Sequence, residues 1–190
     1  EDTNQQPLPH WALYPAGVVW AAQQESHPVH GMDVVFSSNI PIGSGLSSSA
    51  AVECAFGAIL RELGGWSINN LELAILCQNA ERNYVGVNCG IMDQFACANG
   101  VENSALYLNT ESLEWSLLPF PDNVAIVIAD SQIKRSLTNS AYNERRTSCE
   151  QALSILKKYL PSINHLSDVS PQELAEYSSM LPEIPYKRAK

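Results

Sequence analysis

Basic residues are scarce in this chain and never form a cluster. Its 190 residues include 11 Lys and Arg against 20 Asp and Glu, so the formal net charge is −9 with His neutral. Binding to nucleic acid or to an anionic membrane would require clustered Lys and Arg that replace the counterions of the phosphates. The basic residues here stand at most in adjacent pairs, such as Lys157 and Lys158. We therefore expect no nucleic acid and no membrane among the partners.

The chain also lacks a long apolar run, a charged-apolar-small leader and any regular grouping of metal ligands. A membrane helix needs roughly 20 apolar residues in succession, and a secretory leader has its own charge pattern. The five cysteines are odd in number and irregularly spaced in apolar surroundings, and the four histidines are scattered. These features favour reduced, buried thiols over disulfides or a zinc site. Together they predict a cytoplasmic protein.

An initiator methionine is missing too, because the chain begins with Glu1, and its last residues have the pattern of a helix that is cut short. With 45% hydrophobic residues, the chain is long enough to bury the core of one domain, or of one domain and part of another. We interpret the sequence as an internal piece of a longer protein.

The most informative segment that is present covers residues 41–51, Pro-Ile-Gly-Ser-Gly-Leu-Ser-Ser-Ser-Ala-Ala. Gly43 and Gly45 permit positive φ and the close approach of a ligand. The first amides of the helix that follows, assisted by the helix dipole, can bind an anion. The serines at positions 47–49 can cap the helix, bind phosphate oxygens or present a hydroxyl to a metal ion. The segment predicts a phosphate-binding turn, with a simple turn and helix cap as the alternative.

Two common phosphate loops do not fit this segment. A P-loop requires Lys followed by Ser or Thr after its second glycine, where this chain has Leu46 and Ser47. A Rossmann fingerprint requires a third small residue that packs helix on strand, with an acidic residue about 20 positions later. Ser48 stands in the third position, and no apolar strand that ends in an acid follows at that distance. The loop therefore belongs to another class.

Hydrophobic periodicity divides the rest of the chain into helices and strands. Helices are predicted over 11–24, 48–63, 71–84, part of 86–100, 140–160 and 170–180, and strands over 32–40, 105–109, 113–118 and 124–129. We expect Ser67 to cap the helix over 71–84. The helix over 48–63 is expected to turn one apolar side inward, formed by Val52, Ala55, Phe56, Ile59 and Leu63. Strands grouped apart from helices indicate an α+β fold with an antiparallel sheet, followed by a second, truncated domain.

Two carboxylates follow the loop in places where chemistry could use them. Glu81 lies near the end of a predicted helix, and Asp93 follows a turn that contains Gly90. A reaction of a magnesium nucleotide needs one carboxylate that helps hold the metal and one that faces the attacking hydroxyl. On spacing alone, Glu81 could equally be a surface residue and Asp93 a helix cap.

Three segments in order resemble galactokinases of the GHMP small-molecule kinase superfamily. They are residues 41–51, residues 86–95 with Glu81 upstream, and residues 134–149, which contain Tyr-Asn-Glu-Arg-Arg from Tyr142. The superfamily shares the glycine-serine loop, whereas Gly-Ile-Met-Asp-Gln-Phe and Tyr-x-x-Arg-Arg are more particular to galactokinases and close relatives. The resemblance spans nearly the whole chain. Two family motifs, an N-terminal sugar signature and a C-terminal glycine-rich motif, are not among these residues.

The resemblance implies a role for each matching residue. The nucleotide phosphates would be bound by Gly43, Ser44, Gly45, Leu46, Ser47, Ser48 and Ser49. Ser48 and Glu81 would be the ligands of Mg²⁺. Asp93 would contact the sugar C1 hydroxyl, as a base or as an orienting group, and Lys134 would lie near the reacting groups. Gly90 and Tyr142 would contact the sugar.

The implied fold is a GHMP kinase N-terminal domain over 1–135, of the ribosomal protein S5 domain 2-like type, with the helical start of the C-terminal domain over 136–190. That fold contains a left-handed crossover, against the usual preference. The implied reaction uses ATP and Mg²⁺ to convert α-D-galactose to galactose 1-phosphate, in a full-length protein that we expect to be monomeric. The piece alone is expected to be inactive.

Three other readings remain open. One is a sister kinase for N-acetylgalactosamine, arabinose or a uronic acid. Another is a galactose-binding regulatory relative without catalysis, although such relatives lose residues from the Ser-Ser-Ser-Ala stretch that is intact here. The last is a piece that folds around its sheet but binds ligands weakly, or that pairs through exposed surface.

Overall fold

The computed structural model describes residues 8–129 and 141–190 and, for Ala141 and Tyr142, the backbone alone. The chain forms two compact units, Glu1–Arg135 and Ser136–Lys190. The sequence analysis divides the chain at the same position. The assignment of these units to two kinase domains stays a prediction.

The described part of the first unit contains four α-helices. They are α1 (Leu13–Gln24), which follows a 3-10 turn at His10–Ala12, α2 (Ser48–Gly64), α3 (Asn70–Ala80) and α4 (Met92–Asn99). α1, α2 and α3 pack on one another, and α4 packs on α2 and α3. Their common core contains Val18, Leu60 and Leu76, which are almost fully buried. These helices confirm the ones predicted over 11–24 and 48–63 and within 86–100.

α3 begins one residue before the predicted start and ends in an unusual turn. Its cap is Asn69, whose side chain accepts a hydrogen bond from Glu72 N while the Glu72 carboxylate accepts one from Asn69 N. The predicted cap at Ser67 is therefore wrong, because this reciprocal pair satisfies two amides at a position where Ser67 cannot reach them. At its other end α3 continues as a π-helical turn, Glu81–Val85, closed by Gly86 with φ 87°. Such turns occur frequently at functional sites.

The sheet of the first unit has two described strands. β1 (Ser104–Leu108) pairs antiparallel with β2 (Trp115–Pro119), and Leu106 lies opposite Leu117. Helices beside an antiparallel sheet confirm the α+β fold class and two of the predicted strands. A left-handed crossover requires parallel strands, which the described residues do not form, and it stays a prediction.

Two other predicted strands, over 32–40 and 124–129, are wrong for the described residues, since neither segment joins the sheet. Alternating apolar residues indicate that one side of a segment could be buried, but a strand also needs the backbone groups of a partner. Val35 and Val127, in these two segments, are 99% and 88% exposed. The apolar pattern of these two segments therefore predicts strands that the described residues do not form.

The second unit is helical in its described part. It contains α5 (Ala141–Leu156), α6 (Pro171–Glu176) and α7 (Glu183–Ala189), with 3-10 turns at Leu166–Asp168 and Ser178–Met180. Ser170 caps α6 reciprocally with Glu173, as the Ser-Pro start predicts. A small core, which includes Leu156 and Leu174, holds these helices together.

Two general properties of the chain concern membranes and thiols. Within the described residues, no helix has the length and apolar character required to cross a membrane. All five cysteines are free thiols, and Cys54 and Cys77 are buried. Cys97 is exposed, so the expectation that every thiol is buried is wrong for that residue.

Candidate functional site

The glycine-serine loop, residues 41–47, leads into α2 with open space beside its backbone. Gly43 and Gly45 have φ values of 76° and 78°, in the left-handed region that glycine enters without strain. No protein atom lies within 4 Å of the place that a Cβ would take at either position. The hydroxyl of Ser44 closes the turn by donating to Pro41 O at 2.8 Å. A ligand can therefore reach the backbone here without displacing a side chain.

The first turn of α2 has no side-chain cap. Ser47 is the N-cap residue, yet its side chain makes no capping hydrogen bond, and no acidic residue lies in the first turn. Ser47 has φ 56°, a left-handed conformation that costs a non-glycine residue roughly 1–2 kcal/mol. Strain of this kind is typical of ligand-binding turns. With Ser48 and Ser49 half-buried beside them, the uncapped amides are donors that an anion could accept from.

Three polar side chains from three elements meet in the interior of the same unit. Glu53 comes from α2, Glu81 from the π-helical turn and Gln94 from α4, and none is more than 4% exposed. Gln94 Nε2 donates to Glu53 Oε2 at 3.0 Å and to Glu81 Oε2 at 2.6 Å. One amide group therefore joins two carboxyl groups. We call Glu53, Glu81 and Gln94 the buried acidic cluster.

No cation offsets this cluster among the residues that the structure describes, since none of the ion pairs found there includes Glu53 or Glu81. Burial and then the charge of Glu81 raise the pKa of Glu53 to about 9, so Glu53 is protonated at neutral pH. Burial and the same two acids raise the pKa of Tyr14 to about 12. Burial, followed by Glu81, also raises the pKa of the Cys89 thiol. The surroundings of Glu81 are thus short of positive charge.

The cluster connects the loop to the second predicted carboxylate. Glu53 lies four residues after Ser49, so the two share a face of α2. Asp93 is half-buried in the first turn of α4, next to Gln94, and its charge contributes to the raised pKa of Glu53. The start of α2, Glu81 and Asp93 therefore belong to one region of the first unit.

The remaining predicted site residues have different outcomes. Gly90 lies in the connection before α4, and no protein atom is within 4 Å of its Cβ position. Tyr142 lies in the first turn of α5, in the second unit, and its side chain is not among the described ones. Lys134 lies outside the described residues. Roles for these three residues stay predictions.

Glu53 and Gln94 were missed by sequence reasoning, and α2 shows why. The buried face of α2 consists of Ala50, Glu53, Cys54, Gly57 and Leu60, not of the larger apolar residues predicted to point inward. Ile59 and Leu63, from the predicted side, are 40% and 55% exposed. Small residues let α2 approach its neighbours closely, as Gly57 does, where a Cβ would lie 2.8 Å from Leu73 Cδ1. The available signal in the sequence was Glu53, a single acid that stands at helical spacing among the small residues of this face.

Residues fit for a divalent cation are present in this region. The candidate ligands from the sequence, the Ser48 hydroxyl and the Glu81 carboxylate, are oxygen donors of the type that Mg²⁺ prefers. Glu81 is 4% exposed and has no basic partner among the described side chains. A buried carboxylate with this environment is stabilised by a bound cation. The donor set and the missing positive charge are both consistent with Mg²⁺.

Comparison with known proteins places this geometry in a family context. Residues 14–101 match the GHMP kinases N terminal domain. A galactokinase of Bacillus subtilis (strain 168) is 42% identical over 193 residues, which cover 100% of this chain and 49% of the relative. A galactokinase of Clostridium beijerinckii (strain ATCC 51743 / NCIMB 8052) is 43% identical over 183 residues, which cover 95% of this chain and 47% of the relative.

A solved structure is similar as well. The crystal structure of Lactococcus lactis galactokinase complexed with galactose has a TM-score of 0.80 and 30% sequence identity to this chain. The similarity covers 99% of this chain and 49% of that chain. The chain thus spans about half the length of the curated relatives that it matches.

Proposed function

We propose that the chain is part of a galactokinase, because residues 14–101 match the GHMP kinases N terminal domain. The proposed reaction transfers the γ-phosphoryl group of ATP to the C1 hydroxyl of α-D-galactose and gives galactose 1-phosphate and ADP. The observation that carries the proposal is the joining of the uncapped start of α2 to Glu81 and Asp93 through the buried acidic cluster. The curated relatives support the choice of sugar.

The loop is proposed to bind the nucleotide phosphates. Residues 43–49 offer two glycines beside open space and the uncapped amides of α2, and these groups stabilise negative charge without a side-chain base. Because the transition state of phosphoryl transfer is loose, holding the phosphates in line contributes much of the rate. The loop therefore binds and orients the donor.

Ser48 and Glu81 are proposed to hold Mg²⁺. The ion, when bound, neutralises negative charge that develops on the phosphates. Glu81 is kept in position by the hydrogen bond from Gln94, and its burial excludes water from the carboxylate. Placing a metal ligand on the π-helical turn directs Glu81 toward the interior where the start of α2 and α4 converge.

Asp93 is proposed to face the attacking hydroxyl of the sugar, as a base or as an orienting group. Asp93 lies half-buried in the first turn of α4, next to Gln94. Gly90 and Tyr142 are proposed to contact the sugar, and Lys134 to lie near the reacting groups. We also propose that 1–135 and 136–190 are the N-terminal kinase domain and the start of the C-terminal domain.

The test measures ADP release from Mg·ATP with galactose, N-acetylgalactosamine, arabinose and galacturonic acid. The assay uses this chain, the full-length protein that contains it, and Asp93→Asn in the full-length protein. We expect turnover with galactose in the full-length protein, about 10²-fold or more loss in the variant, and little turnover by the chain alone. Turnover with another sugar would favour a sister kinase, and galactose binding without turnover would favour a regulatory protein. Full activity of Asp93→Asn would remove Asp93 from the reaction.

A further inference from the structure

Gln94 is the only member of the buried acidic cluster that contacts both of the others. Its side chain is fully buried, and its two acceptors come from different elements, α2 and the π-helical turn. Its backbone is also fixed, because the Cys54 thiol donates to Gln94 O at 3.4 Å. The next residue, Phe95, is fully buried and packs edge-to-face on Trp115 with a centroid distance of 5.8 Å. Gln94 therefore projects from a firmly held part of α4.

The orientation of the Gln94 amide follows from its two acceptors. A primary amide has two N–H groups and one carbonyl oxygen. The reverse orientation would point the carbonyl oxygen at the Glu81 carboxylate and would repel it. With Nε2 on Glu53 and Glu81, both donors have an acceptor, and the contact at 2.6 Å is as short as a charge-assisted hydrogen bond. The amide thus has the orientation in which its nitrogen donates to both acids.

This arrangement leaves polar atoms unsatisfied. Glu53 Oε1 and Gln94 Oε1 are buried and have no hydrogen-bond partner among the described atoms. A buried polar atom without a partner costs about 1–3 kcal/mol, and an unsatisfied group in a folded protein is often retained for function. An apolar cluster of the same size would avoid the cost. The arrangement therefore holds Glu81 in position and leaves the folded chain less stable than an apolar cluster would.

We propose that Gln94 is a positioning residue, whose amide, anchored on Glu53 of α2, fixes the Glu81 carboxylate in the orientation that binds the metal ion. The inference rests on the proposed function, in which Glu81 is a magnesium ligand. It extends that function by linking the metal ligand to the helix whose first turn binds the phosphates. Groups that orient a metal ligand typically change metal affinity by about 10- to 100-fold when they are removed.

The test measures binding of Mn²⁺, a spectroscopic substitute for Mg²⁺, to the full-length protein that contains this chain, with ADP, by electron paramagnetic resonance. Gln94→Met removes both donors with little change in volume, and we expect about 10-fold or greater loss of Mn²⁺ affinity. Gln78→Met is the matched control, because Gln78 is half-buried and donates to a backbone carbonyl, Cys89 O, at 3.4 Å. It is expected to leave Mn²⁺ affinity unchanged. Metal-free binding of ADP should be the same in both variants.

A second measurement serves if Gln94→Met does not fold. In the wild-type full-length protein with ADP, the nuclear magnetic resonance signal of the Gln94 side-chain amide should shift when Mg²⁺ is added, since its acceptor Glu81 then binds the ion. Equal Mn²⁺ affinity in wild type and Gln94→Met, or an unmoved amide signal, would overturn the inference alone. Absence of Mn²⁺ binding in the wild type with ADP would overturn the proposed metal site and this inference with it.

Discussion

The glycine-serine loop leads into α2 and the buried acidic cluster includes Glu53 of the same helix, yet the two are built in opposite ways. The loop is local and open, and its backbone groups face space that no side chain fills. The cluster is closed and brings together side chains 41 and 13 positions apart in sequence. A site made of backbone is visible in a short motif, whereas a site made of distant side chains becomes visible only after folding.

The largest effect is expected at Gly57, which lies on the face of α2 that carries Glu53. A Cβ there would lie 2.8 Å from Leu73 Cδ1 and 3.3 Å from Cys77 Sγ. Gly57→Leu should therefore overpack the contact of α2 with α3 and lower the free energy of unfolding by about 3 kcal/mol. Urea unfolding measures the loss, with Ala55→Leu on the exposed side of α2 as control. Equal stability of the two variants would mean that close packing does not hold the cluster.

A smaller effect is expected at Gly45 in the loop, where space is free and only φ is restrictive. Gly45→Val should cost roughly 1–2 kcal/mol of stability, because a β-branched residue is strained at φ 78°. Its affinity for ADP should fall, since the side chain blocks the approach to the backbone. Gly31→Val is the matched control, as Gly31 also has no atom near its Cβ position but lacks a positive φ. Unchanged ADP affinity in Gly45→Val would show that the loop does not bind the nucleotide.

The smallest expected effect is the change in the free energy of unfolding for each unit of pH. Glu53 has an ordinary pKa of 4.5 and a pKa of about 9 in the folded chain, so between these values only the folded state holds the proton. Stability should therefore fall as pH rises through this window, by at most about 1.4 kcal/mol per unit from this group. Glu53→Gln cannot ionise and keeps an acceptor for Gln94, so it should lose less stability over the same range.

Urea unfolding of wild type and Glu53→Gln at pH 5, 6, 7 and 8 checks this prediction. Glu81, Asp93 and Cys97, which lie near Glu53, are present in both proteins, so the comparison changes only the group at position 53. A stability difference that does not change with pH would show that Glu53 is ionised in the folded chain.

Much of the fold could be predicted where the determinants are local. The Ser-Pro start of α6 and the glycines that end α2 depend on contacts within a few residues, and the structure has both. The inward face of α2 could not be predicted from hydrophobicity, because the neighbours of a helix decide which side is buried. The segments over 32–40 and 124–129 failed for a related reason, since a strand depends on a partner that its own sequence does not specify.

The candidate site, like the fold, was predictable only where its determinants are local. The motif around Asp93 and the position of Glu81 were identified from sequence, by residue type and by resemblance. That Glu81 is buried, without a cation beside it, was not predictable from spacing alone.

The sequence by itself determined the glycine-serine loop, the family resemblance and the two acids at 81 and 93, because glycine conformation, helix starts and motif order are encoded locally. Only the tertiary structure decided that Glu53 is buried and protonated, and that Gln94 connects it to Glu81. The physical reason is that burial and hydrogen bonding arise when α2, the π-helical turn and α4 pack together. Each of these segments alone would leave its polar group in water.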